Sequence, residues 1–190
     1  QSQQGFLSQR GIGAGFSSVM FTDARSAEDV RACVREARPD TPEYGGLYGS
    51  STRRNTYMGY GGSQAYVDSI ADTVVAVMIE KKGAVDELEE ILSIPGVDMV
   101  QWGGTDYSMS IGKAGQTDLP EVVAARNKVF EMALEKGVQP RAEIKTVADA
   151  KQYLDMGVRH FSIGTDLTIL HGWWKENGDE LRRAISDSIG

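Results

Sequence analysis

The stretch Val74–Asp106, VVAVMIEKKGAVDELEEILSIPGVDMVQWGGTD, decides the fold. It begins with Val74–Ile79, a continuous apolar run rich in β-branched residues, which is the pattern of a strand buried on both faces. A helical segment follows, a proline–glycine pair ends it, and Val97–Trp102 is the next apolar strand. One strand–helix–strand step therefore separates Glu80, directly after the first strand, from Asp106, just after the second.

The same alternation runs through the rest of the chain. Further strands are predicted at Phe16–Phe21, Arg141–Ile144 and His160–Ile163, and helices at Ser26–Ala37, Ser63–Ala71, Ala84–Leu92, Pro120–Lys136, Thr146–Gly157 and Gly172–Ser186. Strict strand–helix alternation is typical of a parallel sheet or barrel. We count about five such units, whereas a closed (β/α)8 barrel has eight and about 250 residues.

Composition narrows the class of protein. The 190 residues are 41% hydrophobic, which is ample for one domain with its own core, and the net charge of −7 argues against nucleic acid as a partner. No apolar run approaches the roughly 20 residues of a membrane span, and the start of the chain lacks the pattern of a signal peptide. The single Cys33 excludes an intramolecular disulfide and fits a reducing cytoplasm, where we expect it only to pack.

Glu80 and Asp106 are candidate ligands of a metal ion. Active sites of strand–helix barrels are built at the carboxyl ends of the strands, where both residues are predicted to lie. Oxygen ligands, with neither paired cysteines nor histidine nearby, suit Mg²⁺ or Mn²⁺ better than zinc. Alternatively, each carboxylate caps the helix after its strand. The glycine pair Gly103-Gly104 favours the site, because glycine lets backbone N–H groups approach a ligand closely.

Three segments carry a resemblance to a known family. VMIE at Val77–Glu80, IPGVDMVQWGGTDYSMSIG at Ile94–Gly112 and FSIGTDLTIL at Phe161–Leu170 resemble the HpcH/HpaI family of metal-dependent 2-oxo-acid aldolases, and the resemblance runs from about residue 16 to the C-terminus. It implies an α/β fold, a (β/α)8 TIM barrel, of which about the last five strand–helix units are represented. We therefore expect residues 1–190 to form a single barrel-type domain without the family's first three strands.

The resemblance also implies a function. Glu80 and Asp106 correspond to the family's metal-binding carboxylates, for Mg²⁺, Mn²⁺ or Co²⁺, and Gly103, Gly104 and the main-chain N–H groups of Thr105 and Asp106 correspond to the cradle for the pyruvate carboxylate. The implied activity is that of a carbon–carbon lyase that joins pyruvate and an aldehyde, or cleaves their 4-hydroxy-2-oxo acid product, through a pyruvate enolate that the metal stabilises.

The sequence departs from the family pattern in three ways. Met78 stands where the family often has glutamine, and Gly104 stands where a proline is common. The family's arginine and histidine, which serve the keto oxygen and proton transfer, come from earlier strands and have no counterpart here, so we assign no proton-transfer residue. Two alternatives therefore stay open: decarboxylation of oxaloacetate, as in a macrophomate-synthase-like enzyme, and a non-catalytic relative that binds 2-oxo acids.

Other polar and aromatic residues have less specific interpretations. Arg53 and Arg54, in a glycine-rich loop, are candidates for a second substrate carboxylate or are ordinary surface charges. Arg141 and Glu143 share one face of a strand, either inside the barrel or on an exposed edge. The adjacent Trp173 and Trp174 would expose much apolar surface, so we expect a contact between identical subunits.

Overall fold

The computed structural model describes residues 5–50 and 61–189. Five strands form one sheet: β1 Ser18–Phe21, β2 Val74–Ile79, β3 Met99–Trp102, β4 Gln139–Ile144 and β5 His160–Ile163. Each strand pairs in parallel with the next one along the chain, so spatial order equals sequence order. This unreversed order is that of a (β/α) barrel, in contrast to the doubly wound sheet, and confirms the predicted architecture.

Helices connect the strands. They are α1 Phe6–Gly13, α2 Ala27–Ala37, α3 Gln64–Ala71, α4 Lys82–Asp86, α5 Leu88–Leu92, α6 Gly104–Ser110, α7 Pro120–Glu135, α8 Ala150–Met156 and α9 Asp166–Ile189. The predicted start of α2 is confirmed, because the Ser26 side chain accepts the N–H of Asp29. A reciprocal capping box of Thr146 and Asp149 opens the short 3₁₀ turn before α8. Within the described ranges, no helix is long and apolar enough to cross a membrane.

Two helix predictions needed correction, and helices α1 and α6 were not predicted. The predicted helix Ala84–Leu92 is two short helices, and the break falls at Glu87, whose carboxylate accepts the N–H of Ala27 at 2.7 Å. The last helix begins at Asp166, not Gly172, because the Thr165 hydroxyl accepts the N–H of Thr168 and caps it. Helix α1 was not predicted, since its two glycines obscure a helical pattern that buries Ile12 in the core.

The two faces of the sheet differ in chemistry. On β2, Val75, Val77 and Ile79 are fully buried and join the apolar core that the helices complete. The alternate positions place Met78 and then Glu80 on the opposite face, which is the inner face of a barrel. The core therefore lies between sheet and helices, and the opposite face of β2 leads from Met78 to Glu80 at the end of the strand.

Arg141 and Glu143 belong to that inner face. Strand β4 lies between β3 and β5, which excludes the interpretation as an exposed edge pair. Arg141 is paired in register with Gln101 and donates a hydrogen bond of 2.7 Å to its side-chain oxygen. Gln101 itself is buried, so the inner face carries a polar contact across two strands.

A buried arginine fastens the opposite end of the sheet. The Arg38 guanidinium donates to the carbonyl oxygens of Thr73 and Gly96 and to the carboxylate of Asp98, at 2.5, 2.8 and 2.7 Å. The same Asp98 oxygen accepts the N–H of Val75. These bonds tie the start of β2 to the segment that enters β3, and thereby fix the relative position of the two strands that carry Glu80 and Asp106.

Candidate active site

Charged side chains converge where β1, β2 and β3 end. Asp23 lies two residues after β1, Glu80 and Lys81 directly follow β2, and Asp106 lies in the first turn of α6, after β3. Because neighbouring parallel strands end at the same edge, this order brings the four residues to one place. We call Asp23, Glu80, Lys81 and Asp106 the strand-end cluster.

Glu80 is the most deeply placed acid of the cluster, with 5% of its surface exposed. One carboxylate oxygen, Oε1, accepts the backbone N–H of Asp23 at 2.5 Å. Burial raises the pKa of the Glu80 carboxyl above its ordinary value, and the negative charges of Asp106 and Asp23 act in the same direction. The N–H of Asp23 and the charge of Lys81 oppose this shift in pKa. Glu80 is thus close enough to Asp23 and Asp106 to be affected by the charges of both.

Lys81 links two of these carboxylates. Its Nζ lies 2.9 Å from Asp23 Oδ1 and 2.9 Å from Asp106 Oδ1, and its side chain is only 11% exposed. The hydrogen bonds to Asp23, and then to Asp106, raise the pKa of the Lys81 ammonium, which is therefore charged at neutral pH. Sequence reasoning missed both Lys81 and Asp23. The sequence offers no signal that separates Lys81 from Lys82, which instead pairs with Asp86 at the surface.

The two glycines after β3 approach their neighbours closely. A Cβ at Gly103 would lie 2.5 Å from Glu80 Cβ and 2.9 Å from Glu80 Oε2, and one at Gly104 would lie 2.8 Å from Trp102 Nε1. The N–H of Gly103 already donates to the carbonyl oxygen of Ile79, so it continues the sheet. Thr105 and Asp106 fall in the first turn of α6, where N–H groups have no acceptor within the helix.

A cavity of about 570 Å³ opens beside Gly104 and Thr105. Its lining combines an aromatic wall with charged and hydroxyl groups: Trp102, Thr105, Arg126, Glu143, Tyr153 and Thr165. The guanidinium of Arg126 lies over the ring of Tyr153, with its carbon 5.2 Å from the ring centroid, and donates to the Tyr153 hydroxyl at 3.3 Å. The cavity therefore has one cation held in a fixed orientation, next to the predicted cradle.

The donor set of the cluster fits a hard divalent cation. In the part of the chain that the structure describes, no group of three or more His, Cys, Asp or Glu side chains is placed to hold a metal ion. Mg²⁺ does not require such a cage, since it is commonly bound by one or two carboxylates together with water and substrate. Asp106 also already binds a cation, the ammonium of Lys81. Glu80 and Asp106 are the residues that would hold the metal.

The other predicted residues that the structure describes are not part of the cluster. Arg53 and Arg54 fall outside the described residues. Trp173 and Trp174 are on α9, 53% and 66% exposed, with their rings nearly perpendicular to each other. Cys33 is buried in α2 and burial raises the pKa of its thiol to about 11, in agreement with a packing role.

Comparison with known proteins decides the family. A family model described as HpcH/HpaI aldolase/citrate lyase matches residues 2–171. The chain belongs to the HpcH/HpaI aldolase/citrate lyase family. Within this family, the chain is 30% identical over 169 residues to a hydroxypyruvate/pyruvate aldolase of Paraburkholderia phytofirmans, covering 87% of this chain and 64% of that protein. It is 29% identical over 160 residues to a 4-hydroxy-2-oxo-heptane-1,7-dioate aldolase of Escherichia coli, covering 84% of this chain and 60% of that protein.

Solved structures agree with this family. An HpcH/HpaI aldolase/citrate lyase family protein from Burkholderia cenocepacia superposes with a TM-score of 0.80 at 28% identity, over 94% of this chain and 70% of that protein. The five-stranded curled sheet is thus a partial TIM barrel of the HpcH/HpaI type. The chain spans less than two thirds of the length of the curated relatives it matches.

Proposed function

We propose that this chain forms part of a metal-dependent carbon–carbon lyase that cleaves or forms a 4-hydroxy-2-oxo acid. The observation that carries the proposal is the strand-end cluster: Glu80 and Asp106 follow adjacent parallel strands and interact electrostatically beside a glycine pair. Family membership and aldolase-named relatives near 30% identity support the same reaction class.

Each part of the site has a role in this proposal. Glu80 and Asp106 hold Mg²⁺, Mn²⁺ or Co²⁺, which when bound supplies Lewis acidity for the enolate that forms as the carbon–carbon bond breaks. The N–H groups of Thr105 and Asp106 bind the carboxylate of pyruvate or of another 2-oxo acid. Gly103 keeps the β3–α6 connection close to Glu80, because any side chain there would collide with that residue.

The cavity beside Gly104 and Thr105 suits the remainder of the substrate. Its volume of about 570 Å³ exceeds that of pyruvate and leaves room for the part contributed by the aldehyde. Arg126 offers a cation and the threonine hydroxyls offer hydrogen bonds, while Val122, Val123 and Ile169 add apolar surface. An aldehyde with both polar and apolar groups therefore fits this lining.

We also propose that the catalytic unit is larger than these five strands. In the described sheet, β1 and β5 are the edges, and parallel edges of this kind present unpaired backbone groups. Three further strand–helix units would pair with both edges and close the barrel. The exposed Trp173 and Trp174 support an assembly of identical subunits, and the buried Cys33 suits the reducing cytoplasm.

The test is metal-dependent release of pyruvate. The full protein would be incubated with a 4-hydroxy-2-oxo acid and Mn²⁺, and pyruvate would be followed by its reduction with lactate dehydrogenase and NADH. Glu80→Gln should lower the rate by more than about a hundredfold, since loss of a ligand costs more than loss of an outer-shell partner. Glu89→Gln is the matched control, because Glu89 is exposed on α5 and pairs with Lys136.

Other results would redirect or end the proposal. Pyruvate release from oxaloacetate without aldol cleavage would assign the decarboxylation alternative, and metal-dependent pyruvate binding without either reaction would assign a non-catalytic binding protein. Turnover that persists in a chelator, or equal rates for Glu80→Gln and Glu89→Gln, would show that the strand-end cluster is not the metal site.

A further inference from the structure

Lys81 occupies a place that lysine rarely takes. It is 9% exposed, although lysine is almost never buried unless paired, and it directly follows Glu80 in the sequence. Its ammonium contacts a carboxylate from the end of β1 and another from the first turn of α6, so three successive strand ends meet at one cation. Lys81 is therefore a countercharge that two of the three carboxylates of the cluster share.

Asp23 is built to hold this lysine. It is the one non-glycine residue among the described positions with a left-handed backbone, at φ +58°. Such a conformation is uncommon outside glycine and is tolerated best by Asn and Asp. In this conformation its N–H meets Glu80 Oε1 while its carboxylate meets Lys81 Nζ. A single residue therefore positions both the buried acid and the buried cation.

The cation and the proposed metal need the same carboxylate. Asp106 Oδ1 lies 2.9 Å from Lys81 Nζ, and Asp106 is one of the two residues proposed to hold the metal. A divalent ion coordinated by Asp106 would lie close to the ammonium, and like charges at such distances repel. Asp23 offers Lys81 a second carboxylate that is not needed for the metal.

We infer that Lys81 is an internal countercation that competes with the divalent metal for Asp106, and that Asp23 retains it when the metal enters. The inference rests on the proposed function, because it takes Glu80 and Asp106 as the metal-binding residues. In the metal-free protein Lys81 offsets part of the negative charge of the cluster and keeps the three strand ends together. When the metal binds, Lys81 loses its contact with Asp106 and stays paired with Asp23. Lys81 thus weakens metal affinity while it stabilises the metal-free site.

Opposite effects on two measurements distinguish this role from a purely structural one. Lys81→Met should tighten Mn²⁺ binding by about tenfold or more in isothermal titration calorimetry, because a repelling charge is removed. The same variant should lower the Tm of the metal-free protein by about 3 °C or more, because the carboxylates lose their partner. A lysine that merely supported the fold would lower Tm and weaken metal binding together.

Two further variants control the experiment. Lys82→Met removes the same charge one residue away, from a surface pair with Asp86, and should change neither measurement. Asp23→Asn replaces a half-exposed carboxylate with its isostere, and should weaken Mn²⁺ binding, because Lys81 then depends on Asp106 alone. Asp23→Asn also tests the inference if Lys81→Met does not fold.

The outcomes separate the inference from the proposed function. If Lys81→Met binds Mn²⁺ no more tightly than wild type does, or if Asp23→Asn binds it as tightly as wild type does, the role inferred for Lys81 is wrong. The proposed metal site would remain in place. If wild type, Lys81→Met and Lys82→Met all fail to bind Mn²⁺, the proposed metal site is wrong and the inference falls with it.

Discussion

Gly103→Ala is the substitution whose effect the geometry determines most closely. The added Cβ would lie 2.5 Å from Glu80 Cβ, 2.9 Å from Glu80 Oε2 and 3.1 Å from Met78 Sδ. Carbon atoms in contact are normally about 3.5–4.0 Å apart, so either Glu80 or the β3–α6 connection must move by about 1 Å. Overpacking of this kind costs about 1–3 kcal/mol of folding free energy.

The displacement should also reach the proposed metal. Metal–ligand distances hold within about 0.2 Å of their ideal values, so a shift of Glu80 by about 1 Å removes it as a good ligand. We expect Mn²⁺ affinity to fall by about 10–100-fold, as it does when groups that orient a ligand are lost. Affinity would be measured by titration calorimetry and stability by urea unfolding.

Gly178→Ala supplies the matched control for this prediction. Gly178 lies in the exposed helix α9, and a Cβ there would meet nothing within 4 Å. Its replacement should raise stability by about 0.5–1 kcal/mol, because alanine restricts the unfolded chain and favours helix. A Gly103→Ala variant that keeps both its stability and its Mn²⁺ affinity would refute the close approach of Gly103 to Glu80.

Three other predictions follow from the described contacts. Arg38→Met should lower the free energy of unfolding by about 2–4 kcal/mol, because it removes the ion pair with Asp98 and the hydrogen bonds to the carbonyls of Thr73 and Gly96. Urea unfolding, with the exposed Arg31→Met as control, checks this. Hydrogen bonds from Thr146 lower the pKa of Asp149, so the capping box should stabilise the folded protein at neutral pH and lose this effect as the pH falls through that lowered pKa. The difference in Tm between wild type and D149N, measured against pH, should therefore shrink at acidic pH and not at alkaline pH. Trp174→Glu should shift sedimentation towards a smaller species if Trp174 lies in a subunit contact, and an unchanged sedimentation coefficient would remove that interpretation.

The sequence predicted the strands well because their signal is local. Val74–Ile79 is apolar throughout, and the predicted bounds are those observed for β2. The N-terminal cap of α2 is recognisable from Ser26 and from Asp29 three residues later. One prediction failed at a contact between residues far apart in the sequence. At the break between α4 and α5, Glu87 accepts the N–H of Ala27, which lies on another helix and leaves no mark in the residues around Glu87.

The positions of the two candidate metal-binding acids were predictable to the same extent. Glu80 and Asp106 follow adjacent apolar strands, and parallel pairing alone brings their positions together. Lys81 and Asp23 were missed because their roles depend on the direction of a side chain and on one left-handed backbone position. Neither feature produces a periodic pattern in the sequence. The sequence alone does not show whether a lysine near a buried acid faces solvent, as Lys82 does, or turns inward, as Lys81 does.

The connection from β3 to α6 divides the two halves of the proposed site. Gly103 approaches Glu80 and thereby the strand-end cluster, whereas Gly104 and Thr105 line the cavity that contains Arg126. A 2-oxo acid whose carboxylate is bound by the N–H groups of this connection would have its reacting end at the cluster and its remaining chain in the cavity. No residue of the strand-end cluster lines the cavity, so substitutions in the cavity should alter selection of the aldehyde and leave metal affinity largely intact.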